Sequence, residues 1–79
     1  MARVLLFGAL SDVAGWRERA FESTSIFQLK SLLTTQDQRL GEAISGPGVQ
    51  VAVDQSIVRG DATLSARSEV AFLPPMSGG

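Results

Sequence analysis

The chain has 79 residues, of which 44% are apolar, and a formal net charge of −1, so it carries one ordinary domain and not two. It contains no cysteine and no histidine, which excludes a disulfide staple, a thiolate nucleophile, a histidine base and a structural zinc site. No basic run extends beyond Arg17 and Arg19, no stretch is long enough to span a membrane, and the apolar start at residues 1–10 lacks a signal-peptide layout. The expectation is a soluble, cytoplasmic protein that binds neither nucleic acid nor membrane and holds no metal.

Arg3 to Phe7 reads as a strand, an apolar run stopped by Gly8. Apolar residues on both of its faces predict a central position. Ala9 to Gly15 reads as a connection with one helical turn, and Trp16 to Glu22 as an edge strand pairing with the first. Ser25 opens the clearest helix. Ser25 and Gln28 fit a capping box, and Ile26, Leu29, Leu32 and Leu33 form one apolar stripe that fades near residues 34–36. Asp37 is placed to cap a shorter helix through Ile44, with Leu40, Ala43 and Ile44 inward and Gly41 weakening it.

Gly46-Pro47-Gly48 breaks the chain firmly. Val49 to Asp54 alternates as a strand with Val49, Val51 and Val53 on one face. Gln55-Ser56 then reads as a tight turn and Ile57-Val58 as a short return strand. Residues 60–67 read as a loop with Leu64 dipping into the core. Glu69 to Leu73 is the last strand, with Val70 and Phe72 on one face and Ala71 and Leu73 on the other; Pro74-Pro75 ends it, since proline donates nothing to a ladder. The order β-β-α-(α)-β-β-β predicts an α+β fold. It is the order of the β-grasp (ubiquitin-like) fold, a mixed sheet with one main helix on one face and the first and last strands side by side in the middle. Residues 1–73 form the domain, and residues 74–79 an extended, flexible tail.

The usual catalytic motifs are missing: no phosphate-binding glycine loop, no G-x-S-x-G elbow, and carboxylates only in polar stretches that read as solvated surface. The tail remains, Pro74-Pro75-Met76-Ser77-Gly78-Gly79. Its prolines hold the start extended. Its glycines admit the backbone to a channel where a Cβ would clash. It finishes in a carboxylate that is ionised at neutral pH and able to attack phosphorus. A bare Gly-Gly end is by itself a frayed terminus. At the end of a central strand, on a chain without catalytic side chains, it points to function.

Ala52 to Val58 (A-V-D-Q-S-I-V) and Glu69 to Gly79 (E-V-A-F-L-P-P-M-S-G-G) resemble the small subunit of molybdopterin synthase, the MoaD type of sulfur carrier related to the ThiS carrier and to ubiquitin. Val4 to Leu10 (V-L-L-F-G-A-L) resembles that family's first strand. The resemblance implies that an E1-like enzyme of the MoeB type uses ATP and magnesium to adenylate the carboxylate of Gly79, next to Gly78. The product is converted to a thiocarboxylate. The carrier joins a MoaE-type large subunit, two small with two large, and its tail threads into that subunit's active site. There it donates sulfur to cyclic pyranopterin monophosphate, and the small subunit supplies no catalytic residue and binds no cofactor of its own. The resemblance and strand parity together mark Phe7, Ile57 and Leu73 as a docking face, with Pro74, Pro75, Met76 and Ser77 following them into the partner.

Two positions depart from the family's habit: Asp54 stands where Asn is frequent, and Ala66-Arg67 where Asp-Gly is frequent. A glycine held at positive φ would make the second loop differ here. Three other readings stay open: a carrier for a thiazole or tungsten-pterin pathway, a ubiquitin-like modifier joined to lysines through Gly79, and a binding module with an inert tail.

Overall fold

The computed structural model describes residues 1–75; Met76, Ser77, Gly78 and Gly79 lie outside the described residues. Five strands, β1 (Ala2–Leu6), β2 (Glu18–Phe21), β3 (Gln50–Val53), β4 (Ser56–Val58) and β5 (Glu69–Leu73), form one sheet in the order β2-β1-β5-β3-β4. Only β1 and β5 run parallel; the other neighbours are antiparallel. The three helices are α1 (Ala9–Ala14), α2 (Ile26–Gln36) and α3 (Gln38–Ile44). This is the mixed-sheet β-grasp architecture expected from the element order.

The core follows from strand parity. Val4 and Leu6 of β1 stand beside Val70 and Phe72 of β5, and Val51 of β3 continues the row. All five are buried, together with Ile26, Leu29 and Leu33 of α2 and Leu40 and Ile44 of α3. Alternate residues of β5 thus face the helices. Burying a side chain of this size contributes about 1.5–3 kcal/mol. Leu64 joins the core from its loop, as expected, and Leu10 from α1. Leu32 packs only partly against this cluster, at the margin of the stripe.

Several details differ from the sequence expectation; β2 spans Glu18–Phe21 rather than Trp16 to Glu22, and β3 Gln50–Val53 rather than Val49 to Asp54. The first strand ends at Leu6, and Phe7 makes only one further bond, from its N–H to the Phe72 carbonyl at 3.3 Å. The hairpin turn is Asp54-Gln55 rather than Gln55-Ser56. Val53 pairs with Ser56, and the two residues between them hold φ of +49° and +71°, the left-handed values that a two-residue hairpin of matching twist requires. Gln28 reaches back past the cap residue: its Oε1 accepts from the Thr24 N–H at 2.7 Å, whereas the Ser25 hydroxyl accepts from Gln28 N–H as expected. Gly41 does not weaken α3 but lets it approach α2. A Cβ there would stand 2.7 Å from the Thr34 Cα.

The Ala66-Arg67 loop also explains itself. Ser68 is buried, and its hydroxyl accepts from the Ser65 N–H at 2.9 Å, while the Ser65 hydroxyl accepts from the Arg67 N–H at 3.2 Å. The serines close the turn, and neither Ala66 nor Arg67 holds a positive φ. Among the described residues, no helix is long and apolar enough to cross a membrane.

Candidate functional site: the end of the central strand and the open sheet face

β5 is bonded on both sides, to β1 and to β3, and stands third of the five strands, so the chain leaves the body from the middle of the sheet. Leu73 still pairs with Gln50 of β3. Pro74 and Pro75 lack an N–H and cannot extend either ladder. The sequence therefore ends the strand where the sheet ends it. Gly78 and Gly79, the expected reacting end, and Met76 and Ser77 lie outside the described residues.

The helices cover one face of the sheet and leave the other open. On the open face one row crosses all strands: Glu18, Leu5, Ala71, Ala52 and Ile57. Ile57 is 49% exposed and Phe7 45% exposed, among the largest apolar exposures of the fold. Leu73, Leu5 and Ala71 are half-buried. Phe7 follows Leu6, the partner of Phe72, and its N–H bonds the Phe72 carbonyl, so its backbone stands at the end of the sheet from which the tail departs. Leu73 ends β5 at the same edge. Ile57 sits at the far side of the same face, on edge strand β4, joined to them through Ala71 and Ala52.

Sequence reasoning passed over Leu5, Ala71 and Ala52 as parts of this surface. Strand parity puts Leu5 opposite Val4 and Leu6, and Ala71 with Leu73, on that face. The adjacency of Ala52 needed the β3–β5 register.

The other end of the open face is polar. Arg3 bonds Glu69 at 2.9 Å and Glu18 at 3.2 Å, joining β1 to both neighbouring strands. Arg3 and Glu18 are more than half exposed and Glu69 is half-buried, and pairs open to solvent contribute about 1 kcal/mol or less. They fix which end of the face is apolar more than they stabilise it. Between β1, α1 and β2 lies an open groove of about 520 Å³, with Leu5, Phe7 and Gly8 on one side and Asp12, Arg17 and Glu18 on the other. Among the described residues no group of three or more carboxylate, histidine or cysteine side chains comes together as a metal cage. What this arrangement offers is a rigid platform with an apolar lane that runs to the base of the tail.

The comparisons with known proteins agree with this geometry. The model of the ThiS family matches residues 4–79. The sulfur carrier subunit of molybdopterin synthase from Escherichia coli (strain K12) is 31% identical over 81 residues, covering 100% of both chains. Two solved structures share the fold. SAMP1 from Haloferax volcanii superposes with a TM-score of 0.81 at 22% identity, over 99% of this chain and 98% of that one. The small archaeal modifier protein 1 from Methanosarcina acetivorans gives 0.87 at 21% identity, over 99% and 95%. With a family match that runs from the first strand to the last glycine, this chain belongs to the ThiS family of ubiquitin-like β-grasp proteins.

Proposed function

We propose that the chain is the sulfur-carrier small subunit of a molybdopterin synthase. The observation that carries this reading is the full-length similarity to the Escherichia coli sulfur carrier subunit. The chemistry suits a chain with neither cysteine nor histidine. A carboxylate oxygen of Gly79 attacks the α-phosphorus of ATP, bound with magnesium on an E1-like activating enzyme, and pyrophosphate leaves. A sulfur nucleophile then replaces AMP at the acyl carbon and leaves a thiocarboxylate. In the large subunit that sulfur passes to cyclic pyranopterin monophosphate and the carboxylate returns. Two such transfers build the dithiolene.

In this reading residues 1–73 are a handle and residues 74–79 the arm. The body contributes no acid or base. It docks, and the open face with Phe7, Leu73 and Ile57 is the surface for the large subunit. An uncovered apolar lane is a liability unless a partner covers it. Gly78 and Gly79, lacking side chains, suit passage of the chain end through a narrow channel.

Mass spectrometry of the protein purified from its own host tests the reading. The expected product has one oxygen replaced by sulfur at Gly79, and a chain lacking Gly79 is expected to leave molybdenum-enzyme activity abolished. Intact activity in that deletion strain would overturn the proposal. Isopeptide conjugates through Gly79 would instead support the modifier reading, and loss of thiazole or tungsten-enzyme activity alone would move the carrier to another pathway.

A further inference from the structure

The chain leaves β5 between the end of β1 and the start of β3, and a glycine stands near each: Gly8 after β1 and Gly48 before β3. Both hold positive φ, +56° and +84°. A Cβ added to Gly8 would stand 3.1 Å from Cγ of Pro74, and one added to Gly48 would stand 2.7 Å from Cβ of Pro75. The second contact is with a ring carbon tied to the backbone, which cannot swing aside like the end of a long side chain. Among the described residues, the two other glycines at positive φ differ. Gly15 at +83° and Gly60 at +78° have nothing within 4 Å of an added Cβ. Backbone conformation alone accounts for glycine at 15 and 60. At 8 and 48 there is a second demand, the close approach of the prolines.

We infer that Gly8 and Gly48 form a saddle that seats Pro74 and Pro75 and so sets the direction in which the chain leaves the domain. The functional part of this inference rests on the sulfur-carrier reading. Four residues follow Pro75. Fully extended, they reach at most about 14 Å. A turn of about 30° at their base would then move the chain end by about 7 Å. Every base direction that points Gly79 away from the partner's active site lowers its effective concentration there. Gly8 and Gly48 are therefore positioning residues. They touch no reactant, and they act through the prolines.

The test compares Gly48→Ala and Gly8→Ala with Gly15→Ala, which also puts an alanine at positive φ but away from the tail. Two quantities are measured: the dissociation constant for the large subunit, and the single-turnover rate of sulfur transfer in the saturated complex. Gly48→Ala is expected to slow transfer about tenfold while changing the dissociation constant less than about twofold. Gly8→Ala follows in the same direction with a smaller effect, and carries the test alone if Gly48→Ala folds poorly. Gly15→Ala keeps the wild-type rate. In the wild-type protein, nuclear Overhauser effects are expected between Gly48 Hα and the Pro75 ring, and between Gly8 Hα and the Pro74 ring. Equal transfer rates in the three variants overturn the positioning role, and missing Overhauser effects overturn the saddle itself. If the wild-type chain forms no thiocarboxylate when offered activating enzyme, ATP and a sulfur donor, the carrier reading fails and takes the transfer role with it. The Overhauser effects then decide the packing alone.

Discussion

Gly41 shows how a residue's intrinsic preference yields to its surroundings. In a helix interior glycine is about 1 kcal/mol worse than alanine, and propensity alone favours replacing it. Here it is buried where α3 meets α2, and a Cβ would strike the Thr34 side chain and stand 2.7 Å from its Cα. The Thr34 hydroxyl is held by the Lys30 carbonyl at 2.7 Å, so the side chain has a reason to stay. Overpacking of this kind costs about 1–3 kcal/mol. Gly41→Ala is therefore expected to lower stability by up to about 2 kcal/mol, the overpacking outweighing the gain in propensity. A urea midpoint at or above that of the wild type would sink this account. Asp54 makes the complementary case. Its Oδ1 accepts from the Glu69 N–H at 3.0 Å, and its own N–H donates to the Glu69 carbonyl at 2.8 Å. Both an Asp and an Asn carry that acceptor and tolerate φ of +49°, which is why the family's frequent Asn is replaced here without consequence for the turn.

Among the elements, α2 was the most legible in the sequence, yet its start is built from two distant places. Its first three N–H groups are all satisfied. Ile26 donates to the Ala62 carbonyl at 3.0 Å, Phe27 to the Asp61 carboxylate at 2.9 Å, and Gln28 to the Ser25 hydroxyl at 3.1 Å. The serine cap could be read from local spacing. The Asp61 cap could not, because 34 residues separate donor and acceptor. A carboxylate at a helix N-terminus also meets the positive end of the helix dipole. Asp61→Ala is expected to lower stability by about 1–2 kcal/mol, and Asp61→Asn by less, since the amide oxygen keeps the hydrogen bond. Thermal unfolding of the two variants checks the order; equal losses would show that the bond itself is not the source. β5 carries the other element-scale lesson. Its alternation was plain, and so was its end at Pro74. Its neighbours came from the fold order and not from anything within the strand.

The whole molecule is a two-faced sheet, one face closed by α2 and α3 and the other open. Phe7, Leu73 and Ile57 were marked from parity and family resemblance. The register places Leu73 and Ile57 on the open face, and Phe7 is exposed just beyond the end of β1, near the tail's base. Phe7 lies outside β1 and is 45% exposed, so a charge there meets water rather than core. Phe7→Asp is expected to raise the dissociation constant for the large subunit about tenfold or more, with the unfolding midpoint close to wild type. Unchanged affinity in an isothermal titration would remove Phe7 from the docking surface.

The sequence by itself determined the element order, the two faces of each central strand and the end of the last strand at Pro74. These are local matters, fixed by side-chain period and by proline's missing N–H. Only the tertiary structure decided that β3 flanks β5 on the side away from β1, that Asp61 caps α2, and that Gly8 and Gly48 meet at the base of the tail. Each of these joins residues far apart in the chain. No local pattern encodes such a meeting, because it exists only once the burial of Val4, Leu6, Val70 and Phe72 has closed the sheet around them.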